Sequence, residues 1–192
     1  TFGGELDLVK HLSSCRKNSG HPYFIPINKF FMGHLPFRFH DLDIVDCIKA
    51  LANLTVRISV SAVSKNRPEK VPGTNNPFPT YNTAKGRMMR VGTGCICGVD
   101  RFTPGNSSQR TCTCSICLNS TTQMLEFANI CISTAAHVVF DDTEGVDTTC
   151  HLFFDSNETP QSCSDVVTLK GMSRVESNLE GDTCKLIHVT HD

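Results

Sequence analysis

The chain has 192 residues, of which 39% are hydrophobic and 19% charged, with a formal net charge of -1. This composition belongs to a globular domain large enough to bury a core without covalent staples, and excludes a disordered segment. So small a charge offers no field to draw in a polyanion, which excludes nucleic acid as the expected partner, and no apolar run approaches the roughly 18–20 residues of a membrane span.

Near the start, Leu6, Val9 and Leu12 are spaced to make one short helical face, and His21 to Pro26 reads as an extended stretch, so this region looks like an arm. From Asp41 onward, Ile44, Val45, Ile48, Leu51 and Ala52 recur at helical spacing behind an aspartate suited to accept the first backbone N–H bonds, which predicts a helix near 41–53. Thr55 to Val63 switches to period two. Val56, Ile58, Val60 and Ala62 fall on one face and Arg57, Ser59 and Ser61 on the other, the pattern of a half-buried strand near 55–63.

Repeated prolines and a glycine between Arg67 and Pro79 prevent regular ladders, so 67–85 is taken as a linker between an N-terminal extension, 1–66, and a body, 86–192. In the body, strands are predicted near 87–99, 123–133, 148–154, 165–175 and 183–190. No helix of crossover length separates them, so they pair antiparallel. The expected fold class is mainly β, a small barrel or sandwich with an N-terminal helical extension.

Phe127 to Asp141 is the most informative segment. Strand-like residues lead into Thr134-Ala135-Ala136, whose small side chains permit a tight turn and leave His137 at the strand's end. A general base is an imidazole placed in this way, on a rigid edge open to a cleft. On these residues the sequence resembles the chymotrypsin-like (trypsin-like) serine peptidase superfamily, in which a strand ending in Thr-Ala-Ala-His presents the catalytic histidine. Arg90-Val-Gly-Thr-Gly-Cys-Ile-Cys97 is similar to the glycine-bearing strand that precedes the histidine strand in that family. Cys184-Lys-Leu-Ile-His-Val-Thr-His-Asp192 is similar to the strand that ends at the triad aspartate. Val138 stands where many extracellular members carry a cysteine, so the likeness is to the disulfide-poor branches.

The resemblance covers roughly residues 86–192 and implies one half of a trypsin-like double barrel acting on a peptide or protein. Within it His137 is the catalytic base and Asp192 the carboxylate that orients it, while the nucleophilic serine comes from a second barrel. No Gly-Asp-Ser-Gly-like segment occurs in this chain; Asn18-Ser19-Gly20 and Gly105-Asn106-Ser107 both precede the histidine, against the family order. Alone, the chain is therefore expected to be inactive. Because it starts without Met and stops at Asp192, it is expected to have been cut from a longer one. The competing expectation is a non-catalytic pseudopeptidase or protein-binding module, with His137 satisfied by a backbone hydrogen bond.

Eleven cysteines cannot all pair with one another. Cys95, Cys97, Cys112, Cys114 and Cys117 crowd one stretch. In a strand, Cys95 and Cys97 face the same side, and Cys114 and Cys117 have the gap of a zinc knuckle, so four of the five could close a structural zinc site. Two disulfides could stitch the same loop, and the start, which lacks the basic and apolar regions of a signal peptide, leaves the compartment that would decide open. Cys131, Cys150, Cys163 and Cys184 read as buried small hydrophobes on strands. His188 and His191, three apart on a strand, point to opposite faces and make a poor shared site with His151. Asp141, Asp142, Glu144 and Asp147 lack a regular calcium spacing and read as a solvated turn.

Overall fold

The computed structural model describes residues 25–81, 89–105, 111–122, 124–154 and 166–191. The helical face of Leu6, Val9 and Leu12, most of the extended stretch after it, Cys163 and Asp192 lie outside them. Three short 3-10 turns, Ile27–Lys29, Met32–His34 and Phe37–Phe39, lead into helix α1, Leu42–Leu54. The helix starts where the Asp41 carboxylate accepts the Asp43 N–H at 2.8 Å, as the acidic run predicts. It passes into the first strand without a loop, the Thr55 hydroxyl donating to the Leu51 carbonyl at 2.9 Å. Val45 is its one buried residue, while Leu42, Leu51 and Leu54 are exposed.

The strands are β1 (Thr55–Val60), β2 (Arg90–Phe102), β3 (Phe127–Thr134), β4 (Thr148–Leu152), β5 (Val167–Lys170), β6 (Arg174–Asn178) and β7 (Thr183–Thr190). Two further helices are short: α2, Ser115–Leu118, and α3, Asp142–Val146. The fold is mainly β, one seven-stranded antiparallel sheet in the order β5-β4-β1-β2-β3-β7-β6. It curls into a half-barrel, because its two outermost strands are consecutive in the chain, joined by Gly171-Met172-Ser173 alone. Gly171 N–H donates to the Thr148 carbonyl of β4 at 2.8 Å, and Ser173 N–H to the Ile187 carbonyl of β7 at 2.7 Å.

The strands expected near 87–99, 123–133, 148–154 and 183–190 correspond to β2, β3, β4 and β7, whereas the one expected over 165–175 is broken at Gly171, whose φ is 73°. β1 differs in its company. Placed by sequence in the N-terminal extension, it pairs with β2 on one side and β4 on the other, in the middle of the sheet. The cause is its apolar face: Val56, Ile58 and Val60 are fully buried and pack with Ile132, Leu186, Cys150, Leu152 and Leu169. The stretch after it is likewise attached to the body, with Arg67 and Phe78 both buried.

Two glycines in β2 are imposed by close packing. A Cβ on Gly92 would lie 2.6 Å from Val138 Cγ1, and one on Gly94 would lie 2.7 Å from Ile58 Cδ1 and 2.9 Å from the Ser133 carbonyl. Gly92 thereby leaves room for the residue that follows His137.

Candidate functional site

Strands β3 and β7 pair from Thr134 opposite Cys184 at one end to Ala128 opposite Thr190 at the other. Two residues past the first pair the same register brings Ala136 to Asp182, and the Ala136 N–H donates to the Asp182 carbonyl at 3.3 Å. The next residue is His137. Its backbone N–H donates to Asp182 Oδ1 at 3.0 Å, and its ring Nδ1 lies 2.7 Å from Asp182 Oδ2. An ionised carboxylate only accepts, so the proton of this bond sits on Nδ1, and in the neutral ring Nε2 carries the lone pair. Nε2 has no partner among the described residues, and the pair is open to solvent, with side-chain exposures of 46% and 52%. Asp182 itself has a φ of 47°, a left-handed conformation that Asp adopts more readily than most residues, in the turn after Gly181.

Beneath this turn sits a buried charge cluster. Glu144 is fully buried, 2.6 Å from Arg67 Nε and 2.8 Å from an Arg90 guanidinium nitrogen. It also accepts the backbone N–H groups of Ser64 at 2.8 Å and Phe140 at 2.9 Å. The Arg67 guanidinium lies over the rings of Phe78 and Phe140, and both its terminal nitrogens donate to the His137 carbonyl at 3.2 Å. The histidine turn is thus held from below by Arg67 and at its side by Asp182. Reading Asp141 to Asp147 as a solvated turn is corrected here: α3 starts with Asp141 accepting the Glu144 N–H, and this aims the Glu144 side chain inward at two arginines.

At the opposite end of the β3–β7 ladder lies a second group. His191 follows β7, one residue beyond Thr190, and its Nε2 lies 2.8 Å from the sulfur of Cys112 and 3.3 Å from those of Cys114 and Cys117. The four ligand atoms all lie within 4.8 Å of one another, so Cys112, Cys114, Cys117 and His191 form a cluster that could hold a metal ion such as zinc. Backbone amides point at two of the sulfurs, Cys114 N–H to Cys112 and Cys117 N–H to Cys114, each at 3.4 Å. Burial pushes the Cys112 thiol up to about 11. Burial also raises Cys114, but bonds from the Cys117 amide and from the neighbouring thiols outweigh it and hold this thiol below its ordinary range. Phe102 and Phe127, stacked at 4.5 Å, and Val189 back the cysteines with an apolar patch.

Of the five cysteines expected to supply a zinc site, three meet and two do not. Cys95 and Cys97 are on β2, outside the cluster. They lie opposite β3 between Cys131 and Ser133, several residues along the strand from Phe127 and the cluster, and a register shift between Ile96 and Gly98 makes Cys97 the extra residue of a β-bulge. The fourth member is His191. His188 does point elsewhere, its Nδ1 lying 2.8 Å from the Gly171 carbonyl, and buried His151 is at the far side of the sheet on β4. Cys131, Cys150 and Cys184 are buried on strands, as expected.

Sequence reasoning missed Asp182 and His191. Both could have been found by extending one ladder. Once the strands at 127–134 and 183–190 are paired, the residues just past each end are opposite His137 and beside the cysteine loop. Neither a protein-family model, nor a curated protein, nor a solved structure matches this chain. Among the described residues no helix is long and apolar enough to cross a membrane.

Proposed function

We propose that this chain is the histidine-bearing half of a chymotrypsin-like serine peptidase site, with His137 as general base and Asp182 as the carboxylate that orients it. The observation that carries the reading is the 2.7 Å bond from His137 Nδ1 to Asp182, which leaves a solvent-facing Nε2 as the basic atom. In this role Nε2 takes the proton of a serine hydroxyl as it attacks a peptide carbonyl, and Asp182 stabilises the imidazolium that results. A base so placed contributes on the order of 10²–10⁴ in rate. The curled antiparallel sheet, with the histidine just past a strand end and Gly92 under Val138, is consistent with the first barrel of that fold. No serine follows His137 in a Gly-Asp-Ser-Gly-like segment, so the nucleophile belongs to polypeptide outside these 192 residues.

A second reading rests on the other Asp182 bond. Because Oδ1 holds the His137 backbone N–H, the same carboxylate could serve as a turn lock in a non-catalytic protein-binding module. A fluorophosphonate probe separates the two. The 192-residue chain alone is expected to take up none, and stoichiometric labelling would overturn the half-site reading. The chain extended by whatever its gene encodes beyond residue 192 is expected to be labelled on a serine, with the label abolished by His137→Ala. A gene that stops there, or labelling indifferent to His137→Ala, leaves the binding module as the better account.

A further inference from the structure

We infer that Cys112, Cys114, Cys117 and the Nε2 of His191 bind one Zn²⁺ in a closed structural site that fastens the end of β7 to the loop between β2 and β3. The donor set carries the inference. Three sulfurs and one imidazole nitrogen from separated parts of the chain meet within 4.8 Å, at an apolar patch. Disulfides do not account for it: three sulfurs cannot all pair, and a histidine has no part in a disulfide. In a tetrahedral site with Zn–S of about 2.3 Å and Zn–N of about 2.0 Å, the sulfurs lie roughly 3.8 Å apart and about 3.5 Å from the nitrogen. The three Nε2–S distances, 2.8, 3.3 and 3.3 Å, need to open by only tenths of an ångström to admit the ion.

The ligand chemistry selects the metal. Three thiolates and an imidazole suit zinc in tetrahedral geometry, whereas an iron–sulfur cluster of the common type takes four thiolates, and calcium or magnesium take oxygen. The amides of Cys114 and Cys117 supply the hydrogen bonds to sulfur that stabilise the thiolate form of ligands. Loading forms three Zn–S bonds and one Zn–N bond, releases the three thiol protons to solvent and changes no oxidation state; the finished centre carries a net charge of about -1. With four protein ligands no position is left for water, so the role is structural. The site and His137 lie beyond opposite ends of the seven-pair β3–β7 ladder, which is itself about 20 Å long at roughly 3.3 Å per residue. By pinning His191 it fixes the register in which Asp182 meets His137, since a slip of one residue would turn every β7 side chain to the other face.

The test uses the full chain purified under reducing conditions without chelator. Elemental analysis is expected to give about one equivalent of zinc, and zinc-edge X-ray absorption a first shell of three sulfurs and one nitrogen. Co²⁺ exchanged for zinc is expected to show thiolate charge-transfer bands and tetrahedral d–d bands. His191→Ala loses the metal, His191→Cys retains it with a four-sulfur shell, and Cys95→Ser with Cys97→Ser retains the full equivalent. Less than about half an equivalent in the wild-type chain, or a bound metal with only oxygen and nitrogen neighbours, would overturn the site. Loss of zinc from the Cys95/Cys97 variant would overturn the ligand set. Because wild-type stoichiometry and shell are read without any substitution, a variant that fails to fold does not shield the inference. It is independent of the peptidase reading, since none of these measurements depends on a nucleophile.

Discussion

The two ends of the β3–β7 ladder are built by opposite means. At the Thr134–Cys184 end, two half-exposed side chains are oriented by hydrogen bonds, and the rigidity comes from beneath, where Arg67 and Glu144 are buried. At the Ala128–Thr190 end the thiols and the imidazole converge on one another, backed by Phe102 and Phe127, with Cys112 and Cys117 buried and Cys114 and His191 half-buried. One end holds an open pair and the other a closed knot. The first leaves a ring nitrogen without a partner among the described residues; the second turns its four ligand atoms toward one another.

The comparison can be broken hardest from below the histidine. Glu144→Gln strips the counter-charge from two buried guanidiniums and is expected to destabilise the chain by about 3–5 kcal/mol in urea denaturation. A loss under about 1 kcal/mol would mean that the cluster does not support the turn. Next comes the middle of the ladder, where Ile132 and Leu186, both fully buried, are directly opposite. Leu186→Ala is expected to cost about 2–5 kcal/mol and to raise amide hydrogen exchange at both ends together; exchange confined to one end would show that the two are independent. The smallest energetic effect is expected from Asp182→Asn, under about 1 kcal/mol because the pair is exposed. Its signature is chemical: with the carboxylate gone, the His137 ring is no longer held in the Nδ1–H tautomer. The imidazole nitrogen shifts read by long-range nitrogen–proton NMR would report this, and an unchanged tautomer would remove Asp182 from the orienting role.

Much of the fold was readable because local periodicity survived packing. Asp41 does cap a helix that runs Leu42–Leu54, and alternation in Val56, Ile58 and Val60 does mark a core face. What could not be read locally was company. β1 is followed by a proline-rich stretch that looks like a boundary, yet its partners are 30 and more residues away, on β2 and β4. His137 and the three cysteines of the cluster were visible because each lies in a recognisable short motif. Asp182 and His191 were not, since each meets its partners only through a register set by distant residues, and the placing of Cys95 and Cys97 with the loop cysteines failed because spacing alone does not show that they lie opposite β3 between Cys131 and Ser133, away from the cluster. Glu144 looked like one of several surface acids, and only the arrival of Arg67 and Arg90 makes it an interior one.

The link at Gly171 to Ser173, which joins the two end strands, has a consequence for the molecule's behaviour in company. An open sheet presents two rims of unpaired amides on which a neighbouring chain can dock, and proteins need devices to blunt them. Here both rims belong to one continuous ribbon, Val167 to Asn178, β5 running into β6, tied to β4 on one flank and β7 on the other. Dislodging that single ribbon would bare the amides of β4 and β7 at once, so one short segment covers the next strand at both ends of the sheet.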